Sequence, residues 1–325
     1  MSPDSKLVQA PADSQLILGS PVARALAVIG DRWAHLIIRD AFLGVRRFED
    51  FRRRSGAARG TLASRLKKLE ANGILDRRAY QDSPVRYEYR LTEMGLDLYP
   101  QVLAARNWEL RWNDDDSLPA VMTHSLCRKR MHPLFRCQSC EASIRIYDVS
   151  YSPGTAVSGT EHVPARFQRR SRTKSKSGSD VDRRFFHFLD VVGDRWTGLV
   201  VASLFFGLRR YDEIAGAIGI ATNILSDRLK SLVSMGVLKR VPYQDRPVRH
   251  EYRLTEKGAD LYIHALQVHE WAERWLLDEG DRPLTLEHKL CNSPLRSEVV
   301  CSECKKPLKP REVTYERANA AATDR

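Results

Sequence analysis

The chain contains one sequence twice, and this repeat restricts its fold more than any other feature. Gly-Asp-Arg-Trp stands at residues 30–33 and again at 193–196, and Glu-Tyr-Arg-Leu-Thr-Glu stands at 88–93 and 251–256, at one constant offset. No gap is needed between these positions, and about 40 of roughly 80 aligned residues are identical. Chance does not produce such agreement, so the sequence indicates a duplicated domain.

Each copy has the pattern of a winged helix. In the first copy, apolar residues at helical spacing predict two short helices around Gly30-Asp31, then helices at about 47–54 and 59–71. Strand-like segments at 74–80 and 86–91 flank a turn, and a long helix runs to Trp112. A hairpin after a helix-turn-helix is a wing. The long helix carries more apolar surface than a small domain needs, which indicates that it covers a partner.

The segments around the two copies set the expected boundaries. The fold class is mainly α with small β (α+β), with winged-helix domains at 21–115 and 183–278, each followed by a small zinc-ribbon-like module, at 121–151 and 284–316. Residues 152–182 are rich in Ser, Gly, Thr and charge and cannot bury enough apolar area to fold, so we expect a disordered basic linker there. Residues 1–20 and the tail 317–325 are expected to be flexible.

A series of motifs carries a family resemblance. Both copies contain Gly-Asp-Arg-Trp, Gly-x-Arg-Arg-Phe/Tyr, Leu-x-x-Arg-Leu and Pro-x-Arg-x-Glu-Tyr-Arg-Leu-Thr-Glu-x-Gly, which resembles the HxlR-type winged-helix regulators. The resemblance implies a bacterial source, dimers joined through the terminal helices, and transcription control at palindromic operators. Members usually have one such unit, so this chain departs from the pattern by being double and by its cysteine modules. We therefore expect an intramolecular pseudo-dimer.

The start of each recognition helix presents side chains that suit base reading. They are Arg59, Thr61, Ala63 and Ser64 in the first copy, and Thr222, Asn223, Ser226 and Asp227 in the second. Arginine suits guanine and asparagine suits adenine. Because the two sets differ, we expect an imperfect palindrome with half-sites about one helical turn apart. Asp227 would repel phosphate, so the second copy is expected to bind more weakly.

Further basic residues are candidates for backbone contacts. Lys68 follows on the first recognition helix, and for Arg65 and its counterpart Arg228 a phosphate contact and a structural ion pair are equally open. The wings add Arg77, Arg78, Arg86, Lys239, Arg240, Arg246 and Arg249. We expect these to reach the DNA backbone or the minor groove, the alternative being a solvated charged hairpin.

A metal-type motif follows each long helix. His-x2-Cys-x9-Cys-x2-Cys occurs as His124, Cys127, Cys137 and Cys140, and again as His288, Cys291, Cys301 and Cys304. Three thiolates and an imidazole suit tetrahedral Zn²⁺, so the sequence predicts one structural zinc site in each copy, with its two ligand pairs facing each other across a short hairpin. Redox sensing is the alternative, because basic neighbours such as Arg128 and Lys305 would lower a thiol pKa.

These features together predict a DNA-binding transcriptional regulator, with repression as the leading interpretation and double-stranded DNA as the partner. The net charge of +12 attracts nucleic acid. A polar N-terminus and the lack of an apolar run of about 20 residues place the protein in the cytoplasm, at the nucleoid. A winged-helix protein-interaction scaffold is an alternative, whereas no catalytic set, phosphate loop or open metal site suggests an enzyme. A small-molecule effector, possible beside Trp33, Trp196, Trp112 or Trp275, and a homodimer both stay open.

Overall fold

The computed structural model describes residues 14–113, 121–155 and 186–315. The first copy contains α1 (Ser14–Leu18), α2 (Pro21–Ile29), α3 (Arg32–Phe42), α4 (Phe48–Ser55), α5 (Arg59–Ala71), β1 (Leu75–Asp82), β2 (Val85–Leu91), α6 (Glu93–Leu96) and α7 (Tyr99–Trp112). The second contains α8 (Phe186–Val192), α9 (Arg195–Phe205), α10 (Tyr211–Ile218), α11 (Thr222–Ser234), β7 (Leu238–Asp245), β8 (Val248–Leu254), α12 (Glu256–Ala259) and α13 (Leu261–Trp275). Both are winged helices, as predicted.

The helix-turn-helix in each copy forms for local reasons. Gly56 and Gly219 end α4 and α10 in the left-handed region, at φ 68° and 62°, which glycine adopts without steric cost. The predicted stripe of α5, Leu62, Leu66 and Leu69, is fully buried. Each recognition helix is therefore anchored along one face and exposed along the other.

The two copies pack against each other through α7 and α13 in a pseudo-two-fold arrangement. The indole Nε1 of Trp108 donates to the carbonyl of Lys257 at 2.9 Å, and the indole of the equivalent Trp271 donates to the carbonyl of Met94 at 2.9 Å. Reciprocal contacts of this kind define an isologous interface. The expected pseudo-dimer is thus present within one chain.

A third layer of short strands carries the cysteine motifs. It consists of β3 (Met122–His124), β4 (Lys129–Met131), β5 (Pro133–Cys137), β6 (Val149–Thr155), β9 (Arg282–His288), β10 (Ser293–Pro294), β11 (Ser297–Cys301) and β12 (Val313–Tyr315). All three sheets of this layer join strands of both copies: β5 pairs with β11, β6 with β9, and β12 with β3, each antiparallel. The two expected modules are therefore interwoven into one layer.

The structure corrects two expected boundaries and the expectation of one continuous long helix in each copy. Residues 14–18 form α1, whose Ile17 is fully buried and which packs beside α10 of the second copy, so the N-terminal segment is not flexible throughout. Residues 152–155 belong to β6, so the linker does not begin at 152. The long helix is broken into α6 and α7, and into α12 and α13 in the second copy. The rest of the predicted linker, 156–182, and the tail 317–325 lie outside the described residues.

Candidate DNA interface and metal centres

The first recognition helix, α5, exposes part of the predicted reading surface. Arg59 is 78% exposed, and its guanidinium lies 5.4 Å from the ring centroid of Phe48. Ala63 and Ser64 are exposed, and Thr61 is half-buried. Arg59 Nη1 also donates to Glu49 at 3.3 Å. Arg59 can leave both partners for a base edge at low cost, because an exposed cation–π contact and an exposed ion pair each contribute only about 1 kcal/mol.

The second recognition helix, α11, exposes a different set at matching positions. Thr222, Asn223 and Asp227 are exposed, and Ser226 is half-buried. Each helix also exposes a lysine that was not among the predicted contacts, Lys67 on α5 and Lys230 on α11. Helical spacing from Ala63 and Ser226, four residues earlier, is the signal that identifies them as members of the same face.

Three residues predicted to contact DNA point into the protein instead. Arg65 Nε lies 3.1 Å from Asp31, and the buried Arg228 donates to Asp194 at 3.2 Å. Lys68 Nζ donates to the carbonyl of Ala27 at 2.7 Å, and burial lowers its pKa. These side chains share the inward half of the helix with its buried leucines, so the structural ion pair, not the phosphate contact, describes Arg65 and Arg228.

The wings carry exposed basic side chains, whose contact with DNA stays a prediction. Arg77 lies 4.4 Å from the ring centroid of Tyr87, Arg78 pairs with Asp76 at 2.6 Å, and Arg240 contacts His250 at 3.0 Å. The other four predicted basic residues of the wings are also exposed: Arg86, Lys239, Arg246 and Arg249. Beside the wing tips, Val85 and Val248 are 56% and 62% exposed. Each tip therefore presents an apolar residue next to a basic one.

The predicted metal ligands gather into two clusters, and each cluster combines residues of both copies. One contains His124, Cys127, Cys301 and Cys304; the other contains Cys137, Cys140, His288 and Cys291. Within each cluster the ligand atoms lie within 4.8 Å of one another. All eight residues are in clusters, but the prediction that each copy supplies a complete site is wrong.

The pairing of β5 with β11 explains this exchange. In the antiparallel register, Cys137 at the end of β5 lies opposite Ser297, while Cys301 at the end of β11 lies opposite Pro133. The two Cys-x2-Cys turns therefore lie at opposite ends of the two-stranded sheet. Each turn meets the His-x2-Cys turn of the other copy, not its own.

The separations within the clusters fit a tetrahedral ion. In the first cluster, Cys127 Sγ lies 3.9 Å from Cys301 Sγ, and His124 Nδ1 lies 3.3 Å from Cys304 Sγ. The second repeats these values at 4.0 Å between Cys137 and Cys291 and 3.3 Å between Cys140 and His288. Bonds of about 2.3 Å to a central zinc place tetrahedral ligands about 3.8 Å apart. The donor set and its spacing therefore fit Zn²⁺.

The local environment favours the thiolate at one cysteine of each cluster and opposes it at another. Burial raises the pKa of Cys301, and at Cys140 the backbone N–H of Ala142 is outweighed by burial and neighbouring thiols, which raise the pKa. The backbone N–H of Lys306 lowers the pKa of Cys304. Burial opposes ionisation of Cys291, but hydrogen bonds from His288 and Ser293 bring its pKa down to about 7. A thiolate is the form that binds metal.

The comparison with known proteins decides the family. The sequence profile of the HxlR-like helix-turn-helix family matches residues 28–117 and 191–279. The chain belongs to the HxlR-like family. It is therefore a transcriptional regulator of the HxlR type, built from two family domains.

Individual relatives each match less than half of this chain. An uncharacterized HTH-type transcriptional regulator of Mycobacterium tuberculosis is 38% identical over 143 residues, 42% of this chain and 90% of the relative. YvaP of Bacillus subtilis, also an HTH-type transcriptional regulator by name, is 37% identical over 99 residues, 30% of this chain and 92% of its own. The redox regulator HypR in its reduced form is similar over 29% of this chain and 95% of its own, with 38% identity and a TM-score of 0.28. Within the described residues, no helix is both long and apolar enough to cross a membrane.

Proposed function

We propose that this HxlR-type regulator is a repressor that binds an imperfect palindromic operator as an intramolecular pseudo-dimer, in the cytoplasm at the nucleoid. The observation that carries the proposal is the pair of recognition helices. They belong to two copies joined by a pseudo-two-fold interface, yet their exposed residues differ. The first helix has Arg59 and Ser64 where the second has Thr222 and Asp227. Two half-sites of different sequence fit such a protein.

The proposed contacts follow from the exposed side chains. Arg59 reads guanine in one half-site and Asn223 reads adenine in the other, since these pairings match the donor and acceptor pattern of the major groove. Lys67 and Lys230 bind phosphate, together with the wing arginines. Asp227 repels phosphate at the second recognition helix, which makes the second half-site the weaker one.

Selection of duplexes from a random pool by the purified chain tests this proposal. The expected product contains two unlike half-sites about one helical turn apart, and affinity falls steeply as salt rises because phosphate contacts release counterions. Arg59→Ala should relax the selected sequence in one half-site only, and Asn223→Ala in the other. A symmetric selected site, or binding that does not weaken with salt, would overturn the proposal; the latter result would favour a protein-interaction scaffold.

We also propose that each Cys3His cluster binds one structural Zn²⁺ that joins the two copies. The support is the exchange of ligands: His124 and Cys127 come from one copy, and Cys301 and Cys304 from the other. A zinc ion held in this way links residues more than one hundred positions apart and fixes the distance between the two winged helices. Such sites contribute directly to folding free energy.

Two double variants with the same number of lost cysteines test the exchange. Cys127→Ser with Cys301→Ser removes two ligands of one cluster, so one zinc per chain should remain. Cys127→Ser with Cys137→Ser removes one ligand from each cluster, so both sites should weaken. If each copy held its own zinc, the two results would be reversed. Metal content of the purified proteins is the measurement, and lack of zinc in the native chain would rule out the structural ion.

Redox sensing is the second candidate, favoured by the cross-copy thiol pairs. Cys127 and Cys301 lie 3.9 Å apart, so a small movement would allow a disulfide between the copies. Peroxide would accept the two electrons and two protons released, giving water. Treatment of the native chain with peroxide, followed by metal analysis and mass measurement, separates the roles: zinc retention without disulfide supports the structural role, and zinc release with disulfide formation supports sensing.

A further inference from the structure

The second copy contains an apolar cleft that the DNA and metal sites do not use. It lies between α9, α13 and the paired strands β6 and β9, and it encloses about 700 Å³ of empty space including its open mouth. Its walls are mainly aromatic and aliphatic: Tyr151, Phe206, Tyr262, Leu266, Leu284 and Leu286. Val22 of α2 lies at its edge and, like Tyr151, belongs to the first copy. The cleft thus sits where the two copies and the metal layer meet.

The first copy provides an internal comparison at the equivalent place. Tyr99, the counterpart of Tyr262, is buried, with its hydroxyl 3.2 Å from that of Tyr315, and its ring is 5.1 Å from that of Phe42. Beside Tyr262 the counterpart of Tyr315 is Tyr151 of the first copy, whose hydroxyl donates to the carbonyl of Phe206 at 3.0 Å. The hydroxyl that meets Tyr99 at the one place is thus bonded to a backbone carbonyl at the other, and the cleft lies beside it.

The walls of the cleft indicate an uncharged occupant. Among the described residues of the lining, the one imidazole is that of His269, whose Nε2 lies 3.3 Å from Glu273. Burial opposes ionisation of Glu273, but hydrogen bonds and charges from His269 and Arg296 hold its pKa at about 2. Glu273 is thus already paired, and the described lining itself offers no carboxylate, and no lysine or arginine, to an amine or an acid. Edge-to-face ring contacts, 5.0 Å for Tyr151 with Phe206, favour an aromatic occupant.

We propose that this cleft is a binding site for a small, neutral, ring-containing molecule. Its position suggests a consequence for DNA binding, which rests on the function proposed above. Helix α9 forms one wall and packs against both α10 and the recognition helix α11. A molecule wedged at the end of α9 biases the position of α11, so occupancy of the cleft lowers affinity for DNA. The regulation acts through the second copy, whose helices α9 and α13 line the cleft.

A neutral fluorescent probe, N-phenyl-1-naphthylamine, tests the site in the intact chain. We expect saturable binding of one probe per chain. Ala265→Phe, in a half-buried lining position of α13, should weaken it by about ten-fold or more, and the milder Ala265→Leu by less. Val102→Phe introduces the same side chain at the matching position of the first copy, which lines a separate and smaller cavity, and should leave probe affinity at the cleft unchanged. Non-saturable binding, or equal affinity in native chain and Ala265→Phe, would overturn the site.

The regulatory step has a separate readout. Affinity for a duplex selected by the native chain is measured with and without probe. The probe should weaken DNA binding of the native chain and of Val102→Phe, but not of Ala265→Phe. An equal effect in all three, or none, would overturn the regulation while leaving the probe site intact. Failure of every variant to bind DNA without probe would instead contradict the proposed function, whereas the probe titration would still report on the cleft.

Discussion

The two copies match at the tryptophan contacts that join them and differ along the exposed faces of their recognition helices. The interface tryptophans, Trp108 with Trp271 and Trp112 with Trp275, make matching hydrogen bonds from both sides. The exposed positions of the recognition helices differ, and so does the tyrosine pair at the apolar cleft. An isologous interface requires both halves to match, whereas a second DNA-reading surface or a ligand site does not. Duplication within one chain therefore allows one half to change without loss of the dimer.

The two aspartates that cap α3 and α9 differ in how completely they are hydrogen-bonded. Asp194 accepts the N–H groups of Trp196 and Thr197, the Thr197 hydroxyl and the Nε of buried Arg228. Asp31 caps α3 in the same way, but its Oδ2 and the Nε of its partner Arg65 have no hydrogen-bond partner among the described residues. The second copy thus has the more complete network.

Asp194→Ala is therefore expected to destabilise the protein more than Asp31→Ala. Loss of the cap costs about 1 kcal/mol in either copy. Leaving Arg228 buried without its carboxylate adds about 2–3 kcal/mol, and less for the more exposed Arg65. We expect the free energy of unfolding to fall by about 3–4 kcal/mol in Asp194→Ala and by about 2 kcal/mol in Asp31→Ala, as measured by denaturant unfolding. Thr197→Val is the control that removes one hydrogen bond only. Equal losses for the two aspartate variants would show that the networks are equivalent despite their geometry.

The sequence predicted what depends on local spacing. The winged helices, part of the outward face of α5 and the eight Cys and His residues of the two clusters all follow from periodicity or motif. It did not predict the exchange of ligands, because His-x2-Cys and Cys-x2-Cys have the same spacing whether Cys137 meets Cys127 or Cys291. That choice depends on the pairing of β5 with β11, which joins segments far apart in the chain. Helix α1 was missed because it is only five residues long and is held by Ile17 against the other copy.

The contact between Gln101 and His264 joins equivalent positions of the two copies with unlike residues. It predicts that the stability of the protein depends on pH through the second copy's histidine. These residues occupy equivalent positions, and His264 Nε2 lies 2.9 Å from Gln101 Oε1. Burial, with the nearby His35, lowers the pKa of His264 to about 3, and burial lowers that of His35 to about 4. The unfolded chain binds protons near pH 6.5 that the folded chain excludes. Stability is therefore complete above that pH and falls as the pH drops toward 4.

His264→Gln, which places the residue of the first copy in the second, should reduce this dependence. Each buried histidine costs about 1.4 kcal/mol per pH unit below 6.5, so the native chain should lose about 4 kcal/mol between pH 7 and pH 5, and the variant about half. Glu109, whose pKa burial raises, contributes the opposite slope in both proteins. Denaturant midpoints of the native chain and the variant, measured between pH 7 and pH 5, give the two dependences. An unchanged slope would mean that His264 is protonated in the folded state.

The smallest expected effect tests the symmetry of the interface itself. Trp112 Nε1 donates to Asp260 at 2.8 Å and Trp275 Nε1 donates to Asp97 at 2.9 Å, each beside an arginine of its own helix. Replacing either tryptophan with phenylalanine keeps an aromatic ring and removes one hydrogen bond to a carboxylate, at a cost of about 1–2 kcal/mol. Because the two sites match, the two losses should agree within about 0.5 kcal/mol and add in the double variant. Unequal losses would show that the divergence of the two copies has reached the surface that joins them.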